Sequence, residues 1–241
     1  MYHSSAQMMI PRTTPCVKVL IIMNLVCWFL LVSIVQRFFM KTDVIYHLFG
    51  FVPSAIDNYF FIWQFFTYMF IHSAGLFHIL FNMMVLWMFG SELEQLWGKK
   101  FFLTYYIICG VGSAIVYFVG VKLYFIFSGV GAVMDTPVVG ASGAIFGLLL
   151  AYGWIFGDRL VLFMFVFPMK ARTFTILIAA VELMTILQSG FGTPVANLAH
   201  LGGLLSGFLF LRFKSVSQKL QQGSSLFRRR SRLKVLNGRD G

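Results

Sequence analysis

Long apolar runs separated by short polar breaks make up most of this chain. Residues 19–35, 73–90, 101–121, 140–157, 171–188 and 195–213 form six such runs of 17 to 21 residues. As helices, each is long enough to cross ~30 Å of hydrocarbon. Two stretches do not fit the pattern. Residues 59–71 are apolar and aromatic but only 13 long, and Tyr59, Trp63 and Tyr68 suit a headgroup level. That stretch reads as an interfacial or re-entrant piece between spans one and two. Residues 160–167 are apolar, too short to cross, and ended by Pro168.

The pattern predicts an all-α membrane protein in three parts. Residues 1–16 form a short polar segment, 17–213 a six-helix bundle, and 214–241 a basic tail containing Arg228-Arg229-Arg230. The first run is long and no small-x-small cleavage site follows it, so it reads as a retained helix rather than a signal peptide. Composition agrees. The chain is 59% hydrophobic and 11% charged, with mean hydropathy +0.83, whereas soluble domains run about 25% charged. Cys16, Cys27 and Cys109 show no Cys-x-x-Cys spacing and no pairing with His, which argues against a disulfide framework or a zinc site.

The net charge of +11 refines this picture. The positive residues cluster beside apolar runs, which points to membrane orientation rather than nucleic acid. Six spans leave both termini on one side, where sixteen of the 19 Lys and Arg fall; Arg37, Lys41 and Lys122 are the other three. Under the positive-inside rule both termini are cytoplasmic. The tail is expected to lie on anionic lipid or to be disordered.

This orientation gives spans two, four and six a shared outer depth at their N-termini. Span two brings His72, His78 and Asn82, with His78 and Asn82 four apart on one helix face. Span four brings Ser142 in Gly140-Ala141-Ser142-Gly143, and span six brings Asn197 and His200. Each has an ordinary explanation. A membrane Ser commonly bonds to its own helix, and a lone His can satisfy a backbone carbonyl. Several polar groups at one depth in lipid are costly and point to function. Gly143, Gly147 and Ala151 recur every four residues, and Gly203 and Gly207 lie three and seven beyond His200. If these small faces meet, His200 reaches Ser142, and a Ser-His pair supports nucleophilic catalysis. His78, Asn82 and the Ser142 amide are then placed to stabilise an oxyanion. Glu182, in span five, is not expected to orient His200, so the pattern favours a dyad over a triad.

These residues resemble the rhomboid family of intramembrane serine proteases, over roughly residues 17–213. The likeness rests on His72 with His78-Ile79-Leu80-Phe81-Asn82, on Gly140-Ala141-Ser142-Gly143, and on Ala199-His200-Leu201-Gly202-Gly203 followed by Gly207. It implies a six-span bacterial form in the inner membrane and Ser142 as nucleophile with His200 as general base. It places His78 and Asn82 in the oxyanion hole and Gly140 in the turn into span four. It further implies hydrolysis of transmembrane protein substrates in or near their spans without a cofactor or metal, with membrane lipid as surroundings and no nucleic-acid partner. Family members of this kind favour a small residue before the cut. The chain departs from the family at three points. Trp63-Gln64 stands where many members have Trp-Arg, Phe146 where some have Tyr, and His72 and His78 are six apart where many members have five. No catalytic role is assigned to His72. Two other readings of the residues stay open: an inactive rhomboid-like protein that binds transmembrane clients, and a small channel or transporter.

Overall fold

The structure, a computed structural model, describes residues 11–163, 167–189 and 196–214. Among them, Pro15–Met40, Leu76–Trp97, Lys99–Ser128, Ala171–Gln188 and Ala196–Lys214 are helices long and apolar enough to cross a membrane. They correspond to spans one, two, three, five and six. The chain is an integral, multi-pass helical membrane protein.

Span four differs from expectation. Its helix is Ser142–Ile155, 14 residues, where the apolar run suggested 18. Gly140 has φ +126°, a conformation that disfavours any side chain, and it turns the chain just before Ser142. At 1.5 Å per residue the helix is ~21 Å long, about 9 Å short of the hydrocarbon thickness. Its far end leads to Arg159, which pairs with Glu92 at 2.5 Å near the end of span two. With that charged pair at one membrane face, Ser142 lies well inside the other.

The stretch between spans one and two does not cross. It forms short helices at Val44–Phe49, Pro53–Tyr59 and Gln64–Thr67, with a tight turn at Tyr68–Phe70. Gln64 is fully buried and anchors it. Its Oε1 accepts from the Val52 N–H at 2.9 Å, and its Nε2 donates to the His47 carbonyl at 2.7 Å. A neutral amide thus supplies both a donor and an acceptor to this segment. The Trp63 indole donates to Leu48 O at 2.8 Å, and Thr67 to Phe49 O at 2.7 Å.

Leu160–Phe163 pairs antiparallel with Phe167–Lys170, and apart from this two-stranded ribbon and an isolated bridge between Phe51 and Val138 the secondary structure of the described residues is helical. Pro168 sits inside the second strand opposite Leu162 rather than ending the apolar run. At the opposite end of the chain, Glu94 accepts from the Thr14 hydroxyl at 2.5 Å and from the Cys16 and Val17 N–H groups at 3.0 Å each. A carboxylate there caps the positive end of span one.

The core is built on span three. Tyr68, Tyr105, Tyr106 and Tyr117 are fully buried around it. Tyr105 donates to Gly147 O at 2.8 Å, and the Ser113 hydroxyl to Ala199 O at 2.5 Å. These bonds hold spans four and six against the same helix. Spans four and six also touch each other through backbone. A Cβ on Gly203 would overlap the Gly143 carbonyl oxygen, and one on Gly207 would come within 3.3 Å of Gly147 Cα. Gly203→Ala is therefore expected to lower stability by about 1–3 kcal/mol through overpacking, read as a lowered midpoint in thermal unfolding of detergent-solubilised protein. An unchanged midpoint would show that the helices do not meet there.

Candidate active site

Ser142 is the first residue of the span-four helix, and its side chain faces span six. Its Oγ lies 2.8 Å from His200 Nε2. The His200 ring stacks on Phe146, with centroids 4.2 Å apart and planes 8° apart. Phe146 is one turn past Ser142, so one helix supplies both the hydroxyl and the surface that fixes the imidazole plane. Ser142 and His200 are each half-buried.

The other side of Ser142 is formed by Gly140 and His78. A Cβ on Gly140 would lie 3.0 Å from His78 Nε2 and 3.7 Å from Ser142 Oγ. Glycine thus leaves room for both groups beside one small space. The Ser73 N–H donates to His78 Nδ1 at 3.2 Å, and the Ser73 hydroxyl is 2.8 Å from the same atom. A backbone N–H can only donate, so Nδ1 is the unprotonated nitrogen and a neutral His78 carries its proton on Nε2. That N–H is directed to the space by Gly140. Asn82 is buried one turn along, and its amide donates to His78 O at 2.7 Å. One of its two amide hydrogens is thus used on its own helix, and the second is left to point elsewhere. The Ser142 N–H is among the first amides of its helix, which have no partner within it.

Two residues take positions that the sequence pattern did not assign. His72 is fully buried. Its ring packs 5.2 Å from that of His78, and its Nε2 accepts from the Ala141 N–H at 3.4 Å. Together with the Gly140 N–H donating to Tyr68 O at 3.0 Å, this ties the turn before Ser142 to the stretch leading into span two.

Glu182 corrects the expectation that no acid stands near His200. Its Oε1 lies 3.0 Å from His200 Nδ1, although the N–H is out of line for a hydrogen bond. Its Oε2 accepts from the Asn197 amide. Span five is rotated so that Glu182 faces span six, an angle that linear sequence does not reveal. Among the described residues, no cluster of three or more His, Cys, Asp or Glu is placed to hold a metal ion.

A bundle of apolar helices with a hydroxyl and an imidazole paired below one face defines a class of membrane protein with a buried polar site. Comparison with known proteins places it more narrowly. The family model described as Rhomboid domain matches residues 59–216, about two thirds of the sequence. The chain belongs to the rhomboid family. It is 32% identical over 181 residues to Rhomboid-like protein 15 of Arabidopsis thaliana, covering 73% of this chain and 42% of that protein. It is 32% identical over 149 residues to Rhomboid protease GluP of Bacillus subtilis, covering 61% and 25%. With Rhomboid protease GlpG of Yersinia pseudotuberculosis it shares 31% identity over 159 residues, covering 65% and 50%. The chain thus spans a quarter to a half of the length of these relatives.

Gly140 tests the local geometry directly. Gly140→Ala forces a side chain into a φ of +126° and against the His78 ring. The expected cost is about 1–3 kcal/mol, seen as a lowered thermal midpoint. Unchanged stability would show that the turn does not adopt this conformation.

Proposed function

We propose that this protein is an intramembrane serine endopeptidase that cleaves peptide bonds in or near the transmembrane segments of other membrane proteins. The observation that carries the reading is the 2.8 Å contact between Ser142 Oγ and His200 Nε2, in a helix too short to bring that serine to the membrane surface. Membership of a family in which GluP and GlpG are named rhomboid proteases supports it.

In the proposed reaction Ser142 Oγ attacks the scissile carbonyl carbon, and its proton passes to His200 Nε2. The carbonyl oxygen becomes an anion in the space beside Gly140. There the His78 Nε2–H, the second Asn82 amide hydrogen and the Ser142 N–H are its donors. Each such donor is typically worth ~3–4 kcal/mol in the transition state. As the C–N bond breaks, His200 Nε2–H protonates the leaving amine, leaving an acyl group on Ser142. Water then attacks that ester with His200 again as base, releasing the acid and restoring the hydroxyl. The substrate and one water supply all the remaining atoms: the water's oxygen leaves in the released acid, and its proton passes through His200 back to Ser142. Phe146 holds the imidazole flat, and Gly203 and Gly207 keep span six close to span four.

The reading extends to place and partners. Both termini are assigned to the cytoplasmic side on the distribution of Lys and Arg, in a bacterial inner membrane, with residues 17–213 as the catalytic domain. Residues 190–195, before span six, and the tail from 215 lie outside the described residues.

Cleavage of a model transmembrane substrate in liposomes tests the proposal. Ser142→Ala and His200→Ala are each expected to reduce cleavage by at least ~10³-fold with little change in thermal unfolding. Cleavage by Ser142→Ala at the parent rate would overturn it. In a separate series, His78→Ala is expected to lower the rate ~10²–10³-fold, as loss of one oxyanion donor does. If His78→Ala instead leaves the rate unchanged, His78 has no part in the chemistry.

A further inference from the structure

Span five carries a carboxylate where lipid surrounds most of its neighbours. Val181 and Leu183 are 55% and 49% exposed, whereas the Glu182 side chain is 13% exposed. Such a group is costly in a membrane unless it has partners. It has two, both on span six. Asn197 donates its amide to Oε2, and Oε1 stands 3.0 Å from His200 Nδ1. Asn197 and His200 are three apart and so share a helix face. One side chain of span six holds the carboxylate while the other receives it.

We infer that Glu182 is a positioning residue for His200, completing a Ser142–His200–Glu182 relay of contacts held in place by Asn197. The inference rests on the proteolytic reading above. The chemistry follows from the placement of three atoms. Beside a carboxylate, the His200 proton resides on Nδ1, which leaves the Nε2 lone pair facing Ser142 Oγ. When Nε2 takes the serine proton, the ring becomes a cation in a largely buried position. Glu182 then stabilises that cation and remains ionised itself. No atom is transferred to the carboxylate. The N–H is out of line in the resting geometry, and catalytic contacts in empty sites commonly tighten only when substrate is bound. The titratable groups facing His200 are Glu182 from span five, Ser142 from span four and His78 from span two, which lies close enough to feel the charge of His200. His72 stands behind His78. Among these Glu182 is the one anion, so removing its charge leaves the imidazolium without a counter-ion.

A purely structural role for Glu182 would be to tie span five to span six through Asn197. Glu182→Gln separates the two roles, because the amide keeps the shape and an oxygen for Asn197 but loses the charge. With full-length protein in liposomes and a model transmembrane substrate, Glu182→Gln is expected to lower kcat about 10- to 100-fold with KM within about twofold. Glu182→Asp, which keeps the charge, is expected to recover part of that loss. Asn197→Ala, which keeps the carboxylate but releases it from its place beside His200, is expected to lower kcat about 3- to 10-fold, less than Glu182→Gln does. Thermal unfolding of each variant gives the structural readout. Parent kcat in Glu182→Gln would overturn the inference, as would a Glu182→Asp variant no better than Glu182→Gln. If Glu182→Gln fails to fold, an Asn197→Ala variant that folds with parent kcat overturns it instead. The proteolytic reading fails separately, if the parent protein and Ser142→Ala cleave alike.

Discussion

The close backbone contact between spans four and six is the constraint on which the rest of the site depends. Gly203 abuts the Gly143 carbonyl, and Gly207 lies against Gly147. A side chain at position 203 would overlap the Gly143 carbonyl oxygen, so it would push the two helices apart and lengthen the 2.8 Å contact between Ser142 and His200. The contact holds in a membrane because small residues let backbones approach, and packing rather than hydrophobic exclusion drives association there. Span three reinforces it from behind, through Tyr105 on Gly147 and Ser113 on Ala199.

A second constraint acts along the membrane normal. The Ser142–Ile155 helix is too short to reach both faces. Its first residue is therefore placed below the surface, with the unpaired amides of its N-terminus beside it. The chain arrives there through a turn that only Gly140 permits, and that turn is pinned by Tyr68 and His72 from the stretch before span two. The non-spanning segment over residues 41–75 is thus more than a connector. Gln64 and Trp63 fold it onto itself, and its far end fixes the position of the nucleophilic side chain and, through Ser73, the tautomer of His78.

Much of this was readable along the chain, and the remainder was hidden for identifiable reasons. Apolar run length located the helices, because a lipid-facing helix needs a continuous apolar surface. The ends moved, since a single charged residue does not stop a helix; span three continues through Lys122 to Ser128 where the apolar run stops at 121. Charge distribution and four-residue glycine spacing point Ser142, His200, His78 and Asn82 to one layer; in the structure Ser142 Oγ meets His200 Nε2, His78 Nε2 lies beside Gly140, and the Asn82 amide is turned to the His78 carbonyl one turn along. Glu182 was missed because its relation to His200 depends on how span five is rotated. That angle is set by packing, and hydropathy does not record it. His72 was undervalued because its partner is a backbone N–H in another segment. Gln64 stands where the family resemblance points to Arg, and its buried amide anchors the segment by both donating and accepting.

The central claim is that His200 activates Ser142 inside the membrane. The most direct measurement is covalent labelling of the detergent-solubilised protein with a fluorophosphonate, with the modified residue mapped by mass spectrometry. A single adduct on Ser142, lost in a His200→Ala variant that keeps its thermal midpoint, is the expected result. Ser142 left unmodified in the parent, or labelled equally fast in His200→Ala, would contradict the claim.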